Sequence, residues 1–74
     1  MTTEEIAQLE RLAEAAYEEM YDAQRYRVKE CFQDASGYLA EAIELAERDG
    51  LTEVATRLKA RKEHIYNVYT HQFR

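Results

Sequence analysis

The feature that most restricts the fold is an apolar stripe that holds one angular phase from Ile6 to Ala46. At about 100° per residue, Ile6, Leu9, Ala13, Tyr17, Met20, Tyr21, Gln24, Val28, Cys31, Ala35, Tyr38, Leu39, Ala42, Leu45 and Ala46 all fall within about 60° of a common direction. Gln24 is the one polar residue in that row. A helical period held this long, in a chain of 74 residues with no proline, points to an all-α protein.

Local signals place the ends of the helices. Thr2 and Thr3 offer hydroxyls to free amide groups, and Glu4 and Glu5 suit the positive end of a helix dipole, so a helix is expected from about residue 3. Asp49-Gly50 is the other firm punctuation: glycine accepts the left-handed conformation that ends a helix, giving a turn at 49–50. A last helix is expected over about 51–72, with Leu51, Val54, Leu58, Ile65, Val68 and Tyr69 on one face.

Two architectures satisfy this pattern within one domain, 1–74. In the first, the helix is continuous from about 3 to 48, because a chain that turned a corner at Ser36-Gly37 need not keep its phase, and a mid-helix glycine costs only about 1 kcal/mol. In the second, the helix breaks between Asp22 and Gly37, with Asp22, Asp34 or Ser36 as a cap, and the chain folds into a monomeric three-helix bundle.

The first architecture is a long helical hairpin. Its arms would measure about 69 and 33 Å, so half the stripe would stay uncovered. The exposed part would comprise Ile6, Leu9, Ala13, Tyr17, Met20 and Tyr21, and a second copy is its simplest cover, making a homodimeric helical bundle.

Charge is distributed unevenly within a net −5. The first helix carries Glu4, Glu5, Glu10, Glu14, Glu18 and Glu19, and the last carries Arg57, Lys59, Arg61 and Lys62. The two clusters are expected to face each other, between copies or within one chain. A negative total argues against a nucleic-acid binder, which neutralises phosphates with a basic face. No apolar run of about 20 residues is present to span a membrane. The opening Met-Thr-Thr-Glu-Glu has acids where a secretory leader has a basic start, and a cytoplasmic location is expected.

Catalytic apparatus is not legible, and the chain is read as a non-enzyme without a cofactor. Two glycines cannot build a phosphate-binding loop, and Ser36, the sole serine, has no adjacent histidine. A carboxylate-bridged metal pair needs Glu-x-x-His, but Arg61 precedes His64 by three residues and Val68 precedes His71. The two histidines are about 10.5 Å apart along a helix, too far to share one ion at about 2 Å. Cys31 lies mid-stripe, where a free thiol acts as a small hydrophobe.

Six tyrosines suit protein contact, since each joins a large apolar ring to a hydroxyl that tolerates water. Tyr26 and Leu12 project away from the main stripe and are the candidate contacts for an external partner. The stretch Gly37-Tyr38-Leu39-Ala40-Glu41-Ala42-Ile43-Glu44-Leu45-Ala46 is similar to one helix of a tetratricopeptide repeat, which pairs small and aromatic residues across helical hairpins. No second copy follows at that family's period of about 34 residues, so the chain is not placed in it. The expected role is a small helical interaction or structural module. The alternative is a ligand- or metal-binding bundle that uses His64, His71, Cys31 or the tyrosines at a site between chains.

Overall fold

The expected helix does start at the N-terminal threonines, but it does not run to Arg48. The computed structural model describes residues 2–73 and contains three helices: α1 (Thr2–Asp22), α2 (Val28–Arg48) and α3 (Thr52–Val68). A 3-10 turn at Arg25–Arg27 leads into α2, and a π-helical turn at Tyr69–Phe73 continues α3. No strand occurs among the described residues.

The break lies at Ala23-Gln24, inside the 22–37 window of the second architecture, and it corrects the continuous helix. Ala23 N–H still donates to the Glu19 carbonyl at 2.8 Å, but Gln24 is extended (φ −63°, ψ 150°). Arg27 N–H then donates to the Gln24 carbonyl at 2.8 Å and restarts the coil. No side chain caps α2, whereas Asp34, Ser36 and Gly37, all weighed as corners, lie within it.

Energetics explain why the chain gives up those helical hydrogen bonds. Each contributes about 1 kcal/mol net, while burying a side chain the size of Ile6 or Met20 contributes about 1.5–3 kcal/mol. Folding back lays the α1 stripe on the α2 stripe, so both are covered by one chain. Ile6, Ala13 and Met20 retain 3%, 0% and 1% of their exposure. Leu9 and Tyr17 are half-buried against the same core, and only Tyr21 of the expected dimer surface stays exposed. The reason for a second copy at that surface is therefore gone.

The turn at 49–50 forms as expected. Gly50 adopts φ 72°, its N–H donates to the Glu47 carbonyl at 3.2 Å, and Leu51 N–H reaches the Ala46 carbonyl at 2.8 Å. This paired bonding terminates α2 in a Schellman motif, and Leu51 packs onto the core as its apolar latch. The carboxylate of Asp49, hydrogen-bonded by Thr2 and then by Arg48, is held below its ordinary pKa.

α2 packs against both neighbours. Ala13, Ala16, Ala35, Ala42, Ala46 and Ala55 are buried, so the helix backbones approach closely, and Leu39, Leu58 and Ile65 fill the centre. A smaller cluster of Met20, Val28 and Cys31 closes the far end. The aromatic C-terminal segment docks there: Tyr69 stacks on Phe32 (4.2 Å, 8°), and Phe73 meets Tyr21 edge-on at 5.0 Å.

Candidate protein-interaction face

Two faces of α3 carry opposite electrostatic designs. The face toward α1 is a closed ladder. Arg57 donates to both carboxylate oxygens of Glu10 at 2.6 and 3.0 Å, and one turn on Arg61 donates to both of Glu14 at 2.7 and 2.6 Å. The attraction expected between the acidic and basic clusters is thus met within the chain by two pairs, Glu10–Arg57 and Glu14–Arg61, whereas Lys59 turns to Glu47 of α2.

Around this ladder the charges tune one another. The Arg61 hydrogen bonds hold Glu14 below its ordinary value of 4.5, against a smaller opposing effect of burial. The same bonds push Arg61 up, as those of Glu10 do Arg57. The Arg61 guanidinium sits 5.0 Å over the Tyr17 ring, and the Tyr17 and Tyr21 hydroxyls are 3.2 Å apart, a bond that raises the Tyr17 pKa. A cleft of about 490 Å³ runs beside the ladder, but its arginines are occupied and it functions as a clasp between α1 and α3.

The face toward α2 is open. Ser36, Ala40 and Ile43 project from α2, and Lys59, Lys62, Glu63 and Tyr66 from α3, around a groove of about 470 Å³. Their spacing explains the arrangement: residues 36, 40 and 43 form one row of α2, and 59, 62 and 66 one row of α3. Ile43 forms the floor, and Tyr66, half-exposed, leans toward Phe32 with ring centres 6.2 Å apart. Lys59 is held by Glu47 at 2.7 Å. Among the described residues no carboxylate pairs with Lys62, whose side chain is partly buried along the groove. Gly37 stands beside the row, and a Cβ built there meets nothing within 4 Å.

The expected external contacts lie elsewhere. Tyr26 is 79% exposed on the 3-10 turn and Leu12 is at the surface of α1; neither lines the groove. Ile43 and Tyr66 fall to the side of the main stripes, so the helical period of each segment does not by itself join the groove residues into one face. Ser36, Ala40 and Ile43, repeating at helical spacing beside the α2 stripe, are the signal that a second face was present.

Residues considered for metal chemistry are not gathered. His64 lies edge-on to Tyr17 at 6.4 Å, His71 is on the π turn and Cys31 is buried. Burial, the main cause, pushes the Cys31 thiol above its ordinary pKa. Among the described residues, no three His, Cys, Asp or Glu side chains are grouped to hold a metal ion, and no helix is long and apolar enough to cross a membrane. Comparison of the chain with models of protein families, with curated proteins and with solved structures finds no match.

Proposed function

We propose that this chain is a small helical protein-interaction module that receives an acidic amphipathic helix in the groove between α2 and α3. The observation that carries this reading is the groove's composition: Ile43 at the floor with Ala40 beside it, the Tyr66 ring, and a rim of Glu63, Lys59 and Lys62 in which Lys62 has no carboxylate partner among the described residues. The apolar floor and the Lys62 ammonium together suit a helix that presents small or aliphatic residues with a glutamate set opposite Lys62. Tyrosine supplies contact area at little conformational cost, and the rim charge selects the orientation of the incoming helix. No catalytic step is part of the reading.

A direct test uses the isotope-labelled chain and two synthetic amphipathic helices with the same apolar face, one flanked by glutamates and the other by lysines. Binding of the glutamate peptide, with amide shifts centred on Ala40, Ile43, Lys62 and Tyr66, is the expected result. Shifts centred on the Glu10–Arg57 side, or equal responses to both peptides, would count against this groove as the docking face.

A further inference from the structure

Of the two turns between helices, the corner joining α1 to α2 is the one that no residue compels. Positions 22–28 hold neither glycine nor proline, no side chain caps α2, and each of those residues can enter a helix. The Asp49-Gly50 turn differs, because Gly50 stands in the left-handed conformation. A corner also frees the stripe of α2 from the angular phase of α1, yet the stripe keeps that phase through the break, with Gln24 inside it.

We propose that this corner is a hinge, which straightens so that α1 of one chain takes the place of α1 in a second copy. Straightened, residues 2–48 form one helix, and two such helices lie antiparallel about a two-fold axis beside Gln24. Contacts that lie within the closed chain re-form between copies. Met20 clusters with Val28 and Cys31, and Met20 and Val28 are equidistant from Gln24, so the axis brings Met20 of each copy to Val28 of the other. Both arginine forks are kept, with Glu10 and Glu14 of each α1 on Arg57 and Arg61 of the other chain's α3. The common phase is what this arrangement requires: one straight helix presses both its halves on a partner only if their stripes share a direction.

Exchange leaves α1 as covered as it is in the closed chain, so it replaces contacts rather than covering a bare surface. What it adds is helical hydrogen bonding. In the closed corner Gln24 is extended, and Arg25 N–H donates to no backbone carbonyl among the described residues; a straight helix supplies one. Association costs freedom of motion, so the closed chain prevails in dilute solution and the exchanged dimer in concentrated solution. The dimer presents two copies of the α2–α3 groove, whose lining comes from those helices alone. That consequence, unlike the exchange itself, rests on the groove as a docking face.

The test refolds the full chain from urea at low and high concentration and weighs the products by size exclusion with light scattering. A dimer fraction that rises with refolding concentration is expected. Arg25→Pro should weaken association at least about a hundredfold, while circular dichroism and Tm show the closed fold retained. Position 25 opens the 3-10 turn behind an extended residue, where proline fits, whereas proline inside a straight helix does not. Two charge variants identify the exchange. Glu10→Arg/Glu14→Arg and Arg57→Glu/Arg61→Glu each set like charges between α1 and α3 of their own chain, but a mixed dimer with exchanged α1 restores every pair. Refolded together, they should give mixed dimers in at least about tenfold excess over either variant's own dimer, with a higher Tm than either alone. A monomeric mass at every refolding concentration, a dimer that Arg25→Pro leaves intact, or charge variants that do not combine each overturns the proposal; binding of the glutamate peptide by the closed monomer is unaffected by any of them.

Discussion

The two glycines should respond to alanine with opposite signs, and the pair tests the course of the chain more sharply than any core substitution. Gly37 is inside α2, exposed, with no atom within 4 Å of an added Cβ. Alanine there gains helix propensity and loses nothing, which stabilises by about 1 kcal/mol. For a domain of this size that raises Tm by about 4–8 °C. Gly50 has equally open surroundings, but its φ of 72° is a conformation that disfavours a Cβ. Alanine at Gly50 therefore destabilises by about 1–2 kcal/mol, and Tm falls by a similar span. Thermal and urea unfolding followed by circular dichroism reads both shifts. If Gly37→Ala lowered Tm, position 37 would be a corner or a packed contact, and the uninterrupted α2 would be wrong. If Gly50→Ala were neutral, the left-handed turn would be wrong.

Other substitutions examine the core and the clasp. Leu58→Ala, at a site with no exposure, should cost about 2–5 kcal/mol in urea unfolding. Met20→Glu places a charge in the small distal cluster and should unfold the isolated chain, rather than merely separate two copies; a folded monomer with unchanged Tm would refute the intrachain burial of α1. Glu14→Gln removes one rung of the ladder. Because the folded pKa of Glu14 is held below 4.5, its charge stabilises the fold above that value, and the contribution is lost as pH falls through the lowered folded pKa. Both partners are about two-fifths exposed, so the loss near neutrality should be about 0.5–1 kcal/mol, with the parent and variant stability curves converging in acid. Cys31, buried and with a raised pKa, should react with a disulfide reagent only as fast as the chain opens, and rapid stoichiometric labelling of the native protein would contradict its burial.

Much of this fold follows from local chemistry. The helix start near Thr2, the Asp49-Gly50 turn and the last helix are written in short spans of residues, where capping groups, dipoles and the freedom of glycine act over one or two turns. Cys31 falls within the buried stripe for the same reason, since a helical wheel is a local construction. Tyr69 belongs to the apolar face expected of the last helix, but that the C-terminal segment docks through Tyr69 on Phe32 and Phe73 on Tyr21 depends on contacts between distant residues. The candidate site was less legible, because a groove belongs to two helices at once. The row Ser36, Ala40, Ile43 acquires meaning only when Lys62 and Tyr66 are brought alongside it.

By itself, then, the sequence determined that the chain is helical, where the second turn lies, and which residues seek burial. The tertiary structure alone decided that the first stripe folds upon itself at Ala23-Gln24. Periodicity records the angular phase of apolar residues, and that phase is the same whether one long helix carries the stripe or two shorter helices press its halves together. No capping side chain marks the break, which depends on the apolar surface covered when α1 reaches α2. That gain is set by contacts between residues distant in the chain, and no local pattern contains it.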